Sequence, residues 1–299
     1  MVEEFPRPEE VLDLSPEDAD RLLDRLERSV PVHPELLDLP PRGFTEAIAF
    51  GDSHGDWRST LEVVRAFLEP EGGPRCLVGL GDYVDRPPDD CENGSVVNAL
   101  LLLGLAAQFP DRVFLIQGNH ETARRIPVSP SSLDEEVDDL WGPQQDRFTR
   151  LAALLERGPL AAASANGVYF AHAGFPQTAL PVSWRQGFRD PDERRLAEIV
   201  WAECAASHIR RGGVEAWGPQ ALRSFLTSTG LSLFVRGHDP DLTGASLYGG
   251  RCLTLHTTRI YERYGGVLLA RVPLDRPVAS VADLVVVHLP SEGRHYSKQ

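Results

Sequence analysis

Six short apolar runs punctuate the chain beyond residue 44, at 47–50, 76–80, 113–116, 168–171, 233–235 and 252–255. Each has the length of a strand rather than a helix, and unbroken apolarity marks a strand covered on both faces. Between the first three runs the apolar positions change to helical spacing: Trp57, Leu61, Val64, Phe67 and Leu68 in one stretch, the segment 96–109 in the next. The order strand, helix, strand, helix, strand predicts a parallel or mixed sheet covered by helices. Two further strands are expected at 266–274 and 281–289, closing a second sheet. Upstream, residues 16–30 place Leu22, Leu23 and Leu26 on one helical face, with Ser15 as N-cap. Residues 126–142 are Pro/Ser-rich, then acidic, and read as a loop or short helix. The texture divides the chain into a helical lead-in (1–43), a main unit of α/β (α+β) class (44–290) and a tail (291–299).

Composition narrows the class. With 299 residues, 42% apolar and 25% charged, the chain has the make-up of an ordinary globular protein. No apolar run approaches the roughly 20 residues of a membrane helix, and the acidic, Pro-containing start is unlike a signal peptide. A cytoplasmic protein without a membrane partner is expected. Cys76, Cys91, Cys204 and Cys252 are widely spaced and form no C-x-x-C pair, so they read as reduced cysteines. A net charge of −14 argues against a nucleic-acid partner, because phosphate-backbone binders carry excess Lys and Arg. Any phosphate must be held by a local cluster.

Such a cluster is written into the strand ends. Phe50 is followed by Asp52 and His54, Leu80 by Asp82, Ile116 by Asn119 and His120, Ala171 by His172, and Val235 by Arg236 and His238. In α/β sheets, ligands bind beyond the carboxyl ends of the strands. Five segments would therefore deliver imidazole, carboxylate and amide groups to one place, and these are ligands for divalent ions such as manganese, iron or zinc. Asp82 would bridge Asp52 and His54 on one ion and Asn119 with two histidines on a second. Two ions so placed supply a hydroxide near neutral pH and neutralise phosphate. Asp, Asn and His also serve as ordinary turn or core residues, but their coincidence at successive glycine-led turns favours the chemical reading.

Gly51-Asp52-Ser53-His54-Gly55, Gly81-Asp82-Tyr83-Val84-Asp85-Arg86 and Gly118-Asn119-His120-Glu121 resemble the signatures of the phosphoprotein phosphatase family of metallophosphoesterases, in its bacterial serine/threonine type. The resemblance extends through Gly158 to Ala162, His172-Ala173-Gly174, Trp201-Ala202-Glu203 and Arg236-Gly237-His238. It implies a calcineurin-like β-sandwich of mixed sheets flanked by helices. It also implies a first metal on Asp52, His54 and Asp82 and a second on Asp82, Asn119, His172 and His238. The implied cofactors are two divalent ions, manganese, iron or zinc, with manganese expected to support activity in vitro. Arg86, Arg211, Asn119 and Tyr261 would contact phosphate, with Arg210 a rival to Arg211. His120 would donate a proton to the leaving oxygen and Asp85 would orient it. The implied activity is hydrolysis of phosphomonoesters on phosphoserine or phosphothreonine proteins or peptides, with phosphotyrosine kept as an alternative, and a regulatory subunit is left open.

Two departures lie at the substrate rim. Pro87 replaces a glycine of the signature, and His256 to Tyr261 retains only the tyrosine of a Phe-Ser-Ala-Pro-Asn-Tyr overhang. His256 is read as a site-adjacent or core residue, since the family position is apolar. His33, His208, His288 and His295 are read as surface residues, and the acidic run Asp134 to Asp139 as a solvated face. A dinucleoside tetraphosphate hydrolase is the competing enzyme reading, supported by His172-Ala173-Gly174. Asp89, Asp90 and Glu92, close to Arg86, should repel that polyanion. A non-catalytic phospho-ligand module would lack ligands, and none is missing.

Overall fold

The computed structural model describes residues 6–39, 43–70, 73–177, 183–211 and 213–290; the expected tail 291–299, with His295, lies outside them. Two helices, α1 (Pro8–Val11) and α2 (Pro16–Ser29), come first. Ser15 caps α2 by accepting from the Asp18 N–H at 3.1 Å, which satisfies one of the donors a helix start leaves open. β1 (Leu36–Asp38) and β2 (Glu46–Phe50) follow, then α3 (Trp57–Leu68), β3 (Arg75–Gly79), α4 (Gly94–Gln108) and β4 (Val113–Leu115). Next come α5 (Leu133–Trp141), α6 (Gln145–Leu155), β5 (Ala161–Ala163), β6 (Val168–Ala171), α7 (Glu193–Val200) and α8 (Pro219–Thr229). β7 (Leu233–Arg236), β8 (Ser246–Leu247), β9 (Cys252–Thr254), α9 (Glu262–Gly265), β10 (Leu268–Pro273) and β11 (Val285–His288) complete the chain. No helix among the described residues is long and apolar enough to cross a membrane.

The strands form two mixed sheets, ordered β11-β10-β2-β3-β4 and β1-β5-β6-β7-β9-β8. Their alternation assigns each side chain to a layer. Ala47 and Ala49 of β2, Cys76 and Val78 of β3, Val168 and Phe170 of β6, and Leu233 and Val235 of β7 fill the space between the sheets. Ile48, Phe50 and Leu77 face the opposite way, onto α3 and α4, while Tyr169, Ala171 and Phe234 face α7 and α8. Both sheets are therefore covered on both faces, which is why their strands read as continuous apolar runs. Leu22, Leu23 and Leu26 of α2 are buried in the same layer as α4, each contributing roughly 1.5–3 kcal/mol by burial.

Three expectations change. The strands expected to close a second sheet belong to the first: β10 lies antiparallel on β2, pairing Leu269 with Phe50, and β11 continues from β10. The second sheet is built from β5, β6, β7 and β9 with two edge strands, one of them β1 from within the lead-in. Pairing between residues more than 200 positions apart leaves no local trace. Finally, Glu136 of the acidic run is buried and accepts from Ser95 N (2.7 Å), Ser95 Oγ (2.6 Å) and Ser132 Oγ (2.8 Å), while the run itself forms α5.

Candidate active site

The parallel strands β2, β3, β6 and β7 end on one side of the sandwich, so the turns that follow them meet. Several of these turns need the left-handed backbone. His54, Asp82, Asp85, Arg86 and His238 have φ between 42° and 73°, a region non-glycine residues avoid unless the surroundings hold them there. Gly81, at φ 96°, touches the neighbouring turn so closely that an added Cβ would come within 2.5 Å of Gly118 N. Glu121 ties these turns together: its buried carboxylate accepts from the N–H groups of Asp82 (2.7 Å), Tyr83 (2.8 Å) and Gly118 (2.8 Å). Burial, with Asp82 nearby, pushes its pKa up to about 7. The sequence marks Glu121 as part of a motif but offers no sign of this scaffolding role.

Every residue expected to bind metal arrives at this place, buried. Asn119 Oδ1 lies 2.9 Å from His172 Nε2 and 3.1 Å from His238 Nδ1, and Asp82 Oδ1 lies 3.4 Å from His172 Nε2. On the other side of Asp82, its Oδ2 stands 3.7 Å from His54 Nε2, which is 3.9 Å from Asp52 Oδ2. Two tautomers are set by backbone carbonyls, which can only accept. His172 Nδ1–H donates to Leu80 O (2.8 Å) and His54 Nδ1–H to Val84 O (3.0 Å), so both Nε2 lone pairs face the centre. His172 Nε2 therefore meets the carbonyl oxygen of Asn119 lone pair to lone pair. A divalent cation resolves that repulsion, and the donor set fits one on each side of Asp82. Burial drives His54 down to about 3, assisted by Arg86.

His120 also lies within 4.8 Å of His54 and Asp82. Both its nitrogens are already engaged by protein groups. Nδ1 is 2.5 Å from Asp85 Oδ2, and Nε2 is 2.5 Å from Arg86 Nη2. Asp85 is in turn fixed through Oδ1 by Ser132 N (2.6 Å), Leu133 N (3.0 Å) and Ser131 Oγ (3.2 Å) at the start of α5. Burial would lower the His120 pKa, but the Asp82 and Asp85 carboxylates outweigh it and hold the imidazole above its usual value.

The cleft over these groups is lined by Arg86, Arg211 and Tyr261, together with Val128, Ser129 and Trp201, which the sequence did not mark as cleft residues. Arg86 Nη1 donates to Tyr261 Oη at 3.1 Å. Arg211 reaches His238 O and His238 Nε2, each at 3.2 Å, whereas Arg210 spends its guanidinium on the carbonyls of Ala205 and Ile209. Arg211 is thus the one at the cleft. Pro87 is accommodated because the positive φ falls on Asp85 and Arg86 before it.

The altered overhang has its own anchor. Arg259 pairs with buried Asp56 through its own backbone N–H (2.8 Å) and its guanidinium (2.9 Å), and with Asp90 at 2.7 Å. Part of the acidic rim is therefore neutralised, which weakens the repulsion expected from Asp90. His256 is wholly buried behind Asp52. Among the other histidines, His208 and His288 are exposed, whereas His33, expected at the surface, is half-buried with its ring edge against Phe114 at 5.7 Å.

The description of calcineurin-like phosphoesterases matches residues 47–242. A probable serine/threonine-protein phosphatase of Encephalitozoon cuniculi is 28% identical over 73% of this chain and 48% of its own length. The PP2A-like serine/threonine-protein phosphatase PPG1 of Candida albicans is 28% identical over 83% of this chain and 59% of its own. The chain thus spans about half the length of the curated relatives it matches. Among solved structures, a Saccharomyces cerevisiae protein serine/threonine phosphatase superposes with a TM-score of 0.73 at 21% identity, covering 94% of this chain and 92% of that one.

Proposed function

The chain belongs to the calcineurin-like phosphoesterase family, and from that premise we propose that it is a two-metal phosphatase acting on phosphoserine and phosphothreonine in proteins or peptides. One observation carries the reading: Asp82 stands between two groups of imidazole, carboxylate and amide donors while Arg86, Arg211 and His120 line the same cleft. Asp52, His54 and Asp82 would hold one divalent ion, and Asp82, Asn119, His172 and His238 the other. When bound, such ions supply Lewis acidity toward the phosphoryl oxygens and a water of lowered pKa. Manganese, iron and zinc all suit these ligands, and manganese is the ion proposed to support activity in vitro.

The protein's own groups do the rest. Arg86 and Arg211 bind the phosphoryl oxygens, with Asn119 and Tyr261 beside them, and Tyr261 keeps the Arg86 guanidinium turned into the cleft. Once Arg86 turns to phosphate, His120 Nε2 is free to carry the proton that the leaving serine or threonine oxygen needs. Asp85, 2.5 Å from Nδ1, fixes the ring and favours its protonated form.

A substrate panel on the purified protein with added manganese tests this. Phosphoserine and phosphothreonine peptides are expected to give the largest kcat/KM, above phosphotyrosine peptides and dinucleoside tetraphosphates. A specificity constant for the dinucleotide equal to or above that for the peptides would replace the reading with the nucleotide-hydrolase one. A metal-loaded protein that turns over nothing would point to a binding module.

A further inference from the structure

We propose that Glu136 is a positioning residue for proton transfer: through Ser95 and Ser132 it holds in place the Asp85 carboxylate that orients His120. This rests on the reading of His120 as proton donor given above and extends it to a residue outside the cleft. Asp85 is hard to hold still. Its φ of 65° lies in the left-handed region, a conformation that persists only where the surroundings enforce it. Both ends of the residue are tied to helix starts. Its N–H donates to Ser95 Oγ (2.9 Å) in the first turn of α4, and its Oδ1 accepts from Ser132 N (2.6 Å) and Leu133 N (3.0 Å) where α5 begins.

Glu136 joins those two helix starts. Its Oε2 accepts from Ser95 N (2.7 Å), a donor that the start of α4 leaves open because Asn93, its N-cap residue, makes no side-chain cap. Its Oε1 takes both hydroxyls, Ser95 Oγ at 2.6 Å and Ser132 Oγ at 2.8 Å. Ser95 Oγ thus receives the Asp85 N–H on one side and meets Glu136 on the other. The two carboxylates are exchanged between helices: Asp85, which precedes α4, binds the start of α5, and Glu136 of α5 binds the start of α4. A carboxylate at a helix N-terminus is favoured by the helix dipole and the open N–H groups. Ser95 and Glu136 are buried, so a bond lost here is not replaced by water. Glutamine at 136 would keep the shape but put an amide NH2, which can only donate, where a carboxylate oxygen accepts. Ser95 or Ser132 would then be released, and the strained turn at Asp85 would lose its enforcement.

The leaving group separates a misplaced proton donor from a merely weakened fold. A serine oxygen needs a proton as it departs, whereas dinitrophenolate departs as a stable anion, so loss of the donor shows with the first and not with the second. Wild type, His120→Asn and Glu136→Gln are compared, with added manganese, on a phosphoserine peptide and on dinitrophenyl phosphate. Glu136→Gln is expected to lower kcat for the peptide about tenfold, less than the roughly 100-fold that a misplacement of about 1 Å can cost, with KM and the turnover of the aryl ester each within about twofold of wild type. In an Asp85→Asn background the same substitution is expected to add no further loss. Ser95→Ala carries the same expectation if circular dichroism shows that Glu136→Gln does not fold. An unchanged kcat, equal losses on the two esters, a loss confined to KM, or full additivity with Asp85→Asn would overturn the assignment and leave Glu136 a brace between α4 and α5. Equal losses on the two esters in His120→Asn would instead sink the proton-donor reading itself, whereas a graded loss there beside a flat one in Glu136→Gln would sink the positioning role alone.

Discussion

The two halves of the centre share Asp82 and differ in how closely their other donors gather. Around Asn119, His172 and His238 the facing atoms lie 2.9–3.2 Å apart; around Asp52 and His54 the corresponding distances are 3.7–3.9 Å. The tight half draws its histidines from the ends of β6 and β7, adjacent parallel strands whose register pairs Phe170 with Val235. Strands that end together deliver side chains together. The looser half hangs on left-handed turns at His54 and Asp82, which also carry the cleft: Arg86 leans on His54 and His120 faces Asp82. Rigidity therefore belongs to the half built on neighbouring strands, and the proposed chemistry to the half whose turns carry Arg86 and His120.

That contrast can be broken in several ways. The largest effect is expected at the shared residue: Asp82→Asn should lower kcat/KM by about 10⁴-fold, roughly 5.4 kcal/mol of barrier, and reduce uptake at both ions. Loss at one ion alone, read by metal analysis, would show that the halves do not share it. His120→Asn should cut kcat by about 10³-fold while both ions still bind, since His120 belongs to the cleft and not to the floor. Coupled loss of metal would place it among the ligands instead. Arg86→Ala should cost about 10²-fold in kcat/KM, again with metal uptake intact. Titrating metal-free protein should fill the tight half first, with two constants separated by at least about tenfold; a variant lacking His172 should abolish the tighter one. The smallest effect concerns pH. His120 must be protonated to donate, so activity falls as pH rises through its pKa, and the carboxylates of Asp82 and Asp85 hold that limb above the usual histidine range. Asp85→Asn should move the alkaline limb of the kcat profile toward lower pH, and an unmoved limb would assign it to another group.

Much of this centre was legible along the chain because the signal is local. A strand covered on both faces is a short apolar run, and the residue types that follow such runs at Asp52, His54, Asp82, Asn119, His172 and His238 state their chemistry directly. The cap at Ser15 and the leucine face of α2 are legible for the same reason: both depend on spacings of three or four residues. Arg211 could be separated from Arg210 only once the loop after Trp201 was in place, with Glu203 accepting from the Arg211 N–H and the Arg210 guanidinium drawn to backbone carbonyls.

By itself, then, the sequence determined eight of the eleven strands, the order of strand and helix through the first half, and the set of polar side chains that gather at the strand ends, since propensity, period and turn chemistry act between near neighbours. Tertiary structure alone decided that β10 pairs with β2, that Asp56 receives Arg259 from 203 residues away, that Glu121 binds two turns together, and that His256 lies 3.2 Å from Asp52. Those contacts join segments whose separation along the chain bears no relation to their distance in space. What sets them is which faces must be buried together and which buried polar atoms must find a partner.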